Sequence, residues 1–172
     1  MKDLGKRIEE ADLFMRKGNN KKALKLLKKC LKEYPANPLL LYNLGVVYYK
    51  AGRYLDSIYS LEEAVRNGAE EPEVYNQLGL SCDKNGDSIA AAAYYTGALE
   101  KNPDFPMAWN NLGVLAFLDG NFSKAYDYFK RSLSLDPENP DTWHNFRDTC
   151  RELGFNSEAE DADRKYREFV RN

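Results

Sequence analysis

The chain has 172 residues, 43% of them hydrophobic and 30% charged, with a formal net charge of −2. That is the length of one ordinary domain, too apolar for a disordered chain and too polar for a membrane protein. The small net charge leaves no global electrostatic footprint for nucleic acid, and no apolar stretch approaches the ~18 residues that a membrane span needs.

From the N-terminus, Met1 to Arg7 carry charge with no apolar run behind them, so no secretory signal is expected. Residues 1–37 hold eleven Lys and Arg against five Asp and Glu, which leaves the remainder acidic. Lys21, Lys22, Lys25, Lys28, Lys29 and Lys32 fall on one predicted helix. A basic amphipathic helix can meet acidic lipid or an acidic partner, but a solvated outer face is the plainer reading.

From there on the chain is periodic. Proline stands at 38, 72, 106 and 140, and glycine at 18, 52, 86, 120 and 154, each series spaced by 34 residues. A second glycine series runs 45, 79, 113, and a further series reads Pro35, Ala69, Pro103, Pro137. Within 106–139, Trp109, Leu112, Gly113 and Ala116 recur at helical steps, and so do Phe122, Ala125, Tyr126, Phe129 and Leu133 after Asp119-Gly120. Each period therefore reads as helix, turn, helix, turn. Pro106 suits a helix start, where a missing N–H costs little, and Pro137 suits the residue just past a helix. Asn85-Gly86 and Asp119-Gly120 read as helix C-caps rather than hairpins, because their flanks have helical period. Gly45, Gly79 and Gly113 sit mid-helix at a cost of about 1 kcal/mol relative to alanine. That cost implies a second helix crossing at close range, with Ala64, Ala91, Ala98 and Ala125 as its small residues and Leu44, Leu78, Leu112, Tyr95 and Phe129 filling between.

With these residues in place the chain resembles the tetratricopeptide repeat (TPR) family. Its pattern W-x2-L-G-x2-Y…A-x3-F…P is met in 106–139 by Trp109, Leu112, Gly113, Ala125, Phe129 and Pro137, with Ala116 in the tyrosine slot. In 38–71 it is met by Leu41, Leu44, Gly45, Tyr48, Ser57, Leu61 and Ala64, and in 72–105 by Tyr75, Leu78, Gly79, Ala91, Tyr95, Ala98 and Pro103. The resemblance implies an all-α solenoid of about five antiparallel helix pairs in a right-handed superhelix. Residues 1–172 form one expected domain, with repeats 4–37, 38–71, 72–105, 106–139 and 140–172 and the last helix as a cap. The ends depart from the pattern. Arg7 and Glu10 replace apolar residues, so the first helix is expected to be an exposed cap. Arg147 replaces the glycine of the last repeat and Asp163 its aromatic, while Ala159, Ala162, Tyr166, Phe169 and Val170 keep an apolar stripe on the final helix.

No phosphate-binding loop, dinucleotide fingerprint, nucleophile elbow or HExxH occurs, and one histidine makes a His-based metal centre or triad hard to build. Neither an enzyme nor a cofactor is expected. Asp141, His144 and Asp148 share a helix face by spacing. A weak metal or acid–base site is one reading; a polar face balanced by Arg147 and Arg151 is the other and is preferred. Cys30, Cys82 and Cys150 lack CxxC spacing and occupy slots filled elsewhere by Ala64, Tyr48 and Phe14, so they read as reduced core fillers in a cytoplasmic protein.

By the resemblance, the first helix of each pair lines a concave surface. One row there is Ile8, Tyr42, Asn76, Asn110, His144; the next is Asp12, Val46, Leu80, Val114, Asp148; a third is Met15, Tyr49, Asp83, Phe117, Arg151. An apolar centre with a polar rim is the pattern of a recognition site. An amide row, Asn43, Gln77, Asn111, Asn145, can donate and accept at once and resembles the asparagine ladder in the TPR superhelix of the O-GlcNAc glycosyltransferase. The lysine-rich clamp with which other TPRs hold acidic chaperone tails is not matched, since Ile8, Asp12, Glu73 and Gln77 occupy its positions and only Asn43 fits. The expected function is a non-catalytic protein-interaction module, an adaptor that binds an extended peptide or helix of a protein partner. Its expected groove residues are Tyr42, Asn43, Val46, Tyr49, Asn76, Gln77, Leu80, Asn110, Asn111, Val114, Phe117, His144 and Asn145. The alternatives are a self-associating scaffold or the docking segment of a larger protein.

Overall fold

The computed structural model describes residues 3–170. Among them lie ten helices and no strand: α1 (Leu4–Arg16), α2 (Asn20–Glu33), α3 (Pro38–Lys50), α4 (Tyr54–Arg66), α5 (Pro72–Lys84), α6 (Ser88–Lys101), α7 (Pro106–Leu118), α8 (Phe122–Leu135), α9 (Pro140–Glu152) and α10 (Asn156–Val170). The repeat spacing sets their ends. Pro38, Pro72, Pro106 and Pro140 each open a helix, and Asn37 and Asn139 cap the helix behind them by accepting from the backbone N–H of Leu40 and Thr142. At the other end of α7, Gly120 adopts φ +76° and the Asn121 N–H reaches back to the Ala116 carbonyl at 2.9 Å. Gly86 does the same after α5, with Asp87 bonded to Cys82, so both dipeptides are helix C-caps as the sequence predicts.

Two compact units divide the chain, the first ending at Tyr94 and the second beginning at Tyr95, within α6. In the first unit α1 packs on α2, α2 and α4 both pack on α3, and α4 packs on α5. Its interior holds Ala11, Leu27, Cys30, Leu40 and Val47, with Leu61, Ala64 and Leu78 beyond. Gly45 explains the closeness of α3 and α4: a Cβ there would stand 2.5 Å from Leu61 Cγ. The bare backbone also lets the fully buried Ser57 hydroxyl donate to the Gly45 carbonyl at 2.8 Å and pair with Ser81 Oγ at 2.9 Å, which ties α3, α4 and α5.

In the second unit α7 packs on α8, α8 on α9 and α9 on α10, around Ala116, Ala125, Phe129, Phe146, Cys150, Ala159 and Ala162. A Cβ on Gly113 would meet the Phe129 ring at 2.5 Å, so the mid-helix glycine here again buys a close crossing. Trp109 and Trp143 each donate their indole N–H to the carbonyl of the proline closing the preceding repeat, Pro103 at 2.8 Å and Pro137 at 2.7 Å.

One expectation about the ends is corrected. Arg7 is not an exposed cap residue but is 8% exposed, in the slot of Leu41 and Trp109. Its guanidinium grips Glu33, the last residue of α2, through two hydrogen bonds of 2.7 and 3.1 Å. A planar fork matched to a carboxylate lets a charge replace the apolar residue. Glu10, by contrast, is half-exposed.

Candidate functional site

Each unit presents the expected residues on its first helices. In the first unit Tyr42, Asn43, Val46 and Tyr49 on α3 and Gln77 and Leu80 on α5 are half-buried, while Asn76 is sunk to 7% exposure and supplies little surface. Tyr49 rests against Tyr54 with ring centroids 5.7 Å apart. Burial pushes the Tyr42 and Tyr49 phenols above their ordinary range, with Glu73 adding to the effect on Tyr42, so both stay neutral donors near pH 7. Tyr42 lines a cleft of about 280 Å³ with Pro38, Leu39, Ala69, Val74 and the carboxylates of Glu71 and Glu73.

The amide row is not uniform. Asn43 turns its Nδ2 back onto the Leu39 carbonyl of its own helix at 2.7 Å. The Gln77 Nε2 is buried and has no protein partner, an unpaired donor of the kind that a ligand or water satisfies.

In the second unit Asn110, Asn111, Val114 and Phe117 on α7 and His144 and Asn145 on α9 are half-buried. Val114, Phe117, Leu118, Asn145 and Asp148 line a cleft of about 170 Å³ with Phe129. The Phe117 ring is held edge-on against Phe122 at 5.2 Å, the counterpart of Tyr49 on Tyr54 two repeats earlier. Asn145 Nδ2 donates to Asn110 Oδ1 at 3.2 Å, which joins two predicted rows and leaves the side-chain oxygen Oδ1 of Asn145 as an acceptor, while its backbone carbonyl takes the Thr149 hydroxyl at 2.8 Å.

His144 belongs to a charge network. Arg147 lies 3.1 Å from its Nδ1, which makes that nitrogen the acceptor, and Asp148 lies 3.4 Å from its Nε2. Arg147 and Arg151 both contact Asp148, at 2.8 and 3.4 Å. Among the described residues no group of three or more His, Cys, Asp or Glu side chains converges as a metal site would require. The balanced polar face is what the geometry supports. The three cysteines are buried free thiols, and burial pushes Cys82 and Cys150 up to about 11.

Sequence reasoning missed two features of these surfaces. The cleft at Leu39, Glu71 and Glu73 lies at the starts of α3 and α5, and of the groove rows it takes in only Tyr42. Leu118, 73% exposed at the end of α7, joins the other cleft from a position that periodicity assigns to the surface.

Among the described residues no helix is long and apolar enough to cross a membrane. A comparison with curated protein sequences gives no match. Solved structures do match: MamA at 25% identity, TM-score 0.80, covering 94% of this chain and 94% of that one; and YrrB, described as a TPR protein with an unusual peptide-binding site, at 23% identity, TM-score 0.70, covering 95% and 84%. PilF of Pseudomonas aeruginosa matches at 18% identity and TM-score 0.88, covering 96% of this chain and 75% of that one. A family model for the tetratricopeptide repeat matches residues 8–72 and 76–140, and the paired helices are those of a protein–protein interaction fold. This chain belongs to the tetratricopeptide repeat family.

Proposed function

We propose that the protein is a non-catalytic interaction module that holds an extended peptide or a helix of a protein partner on the first-helix faces of its units. The observation that carries this reading is the cleft between α7 and α9. It has an apolar floor in Val114, Phe117 and Phe129, and Asn145 at its wall with a free acceptor. An apolar partner side chain would enter the floor while the amide meets partner backbone, the division of labour expected of peptide recognition. The first unit supports the same reading with Tyr42 over its own cleft and with the unpaired Gln77 Nε2 in the slot that Asn145 fills two repeats later. The peptide-binding site ascribed to the structurally similar YrrB is consistent with it. Glu71 and Glu73 at the mouth of the first cleft oppose an acidic tail, so the partner segment is apolar or basic rather than a chaperone-type carboxylate.

The test is selection from a displayed library of short peptides, followed by titration of one selected sequence into labelled protein observed by NMR. Expected are shift changes confined to α3, α5, α7 or α9, and an affinity loss of about tenfold for Phe117→Ala, the scale of one buried aromatic anchor. Circular dichroism establishes that the variant is folded. Shift changes confined to α2, α4, α8 or α10, with unaltered affinity of Phe117→Ala, would overturn the reading.

A further inference from the structure

The second helices of the first unit carry a surface that the peptide reading leaves unused. On α2, Ala23, Leu27 and Cys30 are buried, and Lys21, Lys22, Lys25, Lys28, Lys29 and Lys32 are all exposed on the opposite side. At ~100° per residue these six lysines fall within an arc of about 120°, along roughly 16 Å of helix. Among the described residues none of the six is ion-paired; Lys22 and Lys28 merely lay their tips over the rings of Phe14 and Tyr48 at 5.7 and 5.5 Å. The acids nearby are spoken for: Glu33 by Arg7, Asp56 by Arg53, Glu63 by Arg66, and Glu62 by the Tyr94 hydroxyl.

The repeat register places apolar side chains in two of these slots on α4 and α6. The slot of Lys21 holds Leu55 on α4 and Ile89 on α6, and the slot of Lys25 holds Tyr59 and Ala93. Leu55, Tyr59 and Ile89 are 69%, 64% and 87% exposed, and they lie on the side of their helices opposite the buried residues Ser57, Leu61, Ala64 and Ala91. The other four lysine slots hold Asp56, Glu62, Glu63 and Arg66 on α4, so from α2 to α4 the face changes from cationic to one that mixes apolar side chains with paired charges.

We infer that this face docks on the surface of an anionic phospholipid bilayer, with the α2 lysines against headgroup phosphates and Leu55, Tyr59 and Ile89 at the headgroup–acyl boundary. Two features select lipid over other acidic partners. The cations are all lysine, flexible point charges suited to a diffuse negative surface, whereas recognition of individual carboxylates or phosphates favours the arginine fork. The apolar side chains protrude from the helices, Leu55 and Tyr59 one turn apart on α4 and Ile89 on α6, as interfacial anchors do. A cleft of about 280 Å³ lined by Glu62, Val65, Arg66, Tyr75, Leu78 and Tyr94 opens among α4, α5 and α6, and neither α2 nor any of the three apolar residues lines it. The α3 and α5 faces of the first unit take no part in this contact.

Co-sedimentation of the full chain with vesicles tests it. Expected is binding to vesicles of mixed phosphatidylcholine and phosphatidylglycerol, weakening with salt, and none to phosphatidylcholine alone. Lys21→Glu/Lys25→Glu/Lys28→Glu abolishes it, the milder Lys21→Gln/Lys25→Gln/Lys28→Gln weakens it, and Leu55→Ser/Tyr59→Ser/Ile89→Ser lowers it about tenfold. These side chains are exposed, and unchanged circular dichroism establishes that each variant is folded. Failure to bind acidic vesicles, full binding by either lysine variant, or full binding by the apolar variant overturns the inference. So does equal affinity for polyglutamate or duplex DNA, which would reassign the face to an acidic polymer.

Discussion

Arg147 and Asp163 meet at 3.2 Å in the slots where the preceding repeat places Gly113 against Phe129. The last repeat thus replaces a contact of bare backbone on an aromatic ring with an ion pair. Both partners have further anchors: Arg147 bonds Asp148 and stacks over Tyr166, and Asp163 also accepts from Arg167 at 2.6 Å. A terminal helix with only one neighbour gains from a polar crossing, because its outer side stays in water.

The exchange predicts a specific coupling. Arg147→Gly is expected to destabilise the protein by about 1–2 kcal/mol, since it strips a part-buried carboxylate of one partner and opens a void. Adding Asp163→Phe restores the glycine–aromatic pair of the repeat, so the double variant should melt above Arg147→Gly alone. Thermal unfolding of the two singles and the double completes the cycle. A double variant melting at or below both singles would show that the slots are not interchangeable.

Gly113→Ala puts a Cβ into the Phe129 ring, which is fully buried and has nowhere to retreat. Overpacking of this kind costs about 1–3 kcal/mol, and the better helix propensity of alanine returns about 1 kcal/mol, so a net loss of up to about 2 kcal/mol is expected. The first repeat holds the permitted alternative, Ala11 in the glycine slot with Leu27 in the aromatic slot, both fully buried. Gly113→Ala/Phe129→Leu should therefore lose less than the sum of its singles. Denaturant midpoints at constant slope measure this, and strict additivity would refute it.

How far the sequence could be read depends on whether a feature is periodic. The ten helices, their proline starts and the Gly120 cap repeat every 34 residues, and each lies where the spacing put it. Pairings peculiar to one repeat were out of reach. Arg7 looked like an exposed departure from the pattern because its partner, Glu33, lies 26 residues away on another helix. Arg147 and Asp163 were each visible as departures, but not that they answer one another. In the candidate site the register found Val114, Phe117 and Asn145, which share a cleft. It could not foresee that Asn43 would satisfy itself on Leu39 while Gln77 stays unpaired, because an amide's rotamer is chosen by neighbours rather than by spacing.

The Arg7–Glu33 pair should give stability an acid limb. Its hydrogen bond to Arg7 lowers the Glu33 carboxyl from its ordinary value near 4.5. A group depressed in the folded state contributes stability that is present above its unfolded pKa and is lost as the pH falls through its folded pKa. Glu33→Gln is therefore expected to lower the melting temperature at pH 7, with the gap to the wild type narrowing as the pH falls below the ordinary carboxyl value and closing below the depressed folded pKa. Melting curves across pH 3–7 check this. A gap of constant size over that range would show that the charge on Glu33 contributes nothing.

The buried thiols set an alkaline limb and a reactivity pattern. Burial raises Cys82 and Cys150 from 9 to about 11, so their contribution is complete below pH 9 and is lost as the pH climbs toward 11. At pH 8 only about one thiol in a thousand is thiolate, and it is enclosed besides, so labelling requires the helices to open. A disulfide-exchange reagent should modify the native protein slowly at all three cysteines, at a rate that rises with urea in step with unfolding. Cys82→Ala/Cys150→Ala should flatten the fall in stability between pH 9 and 11. Fast stoichiometric labelling of the native chain at pH 8 would place a thiol at the surface and contradict their role as core residues.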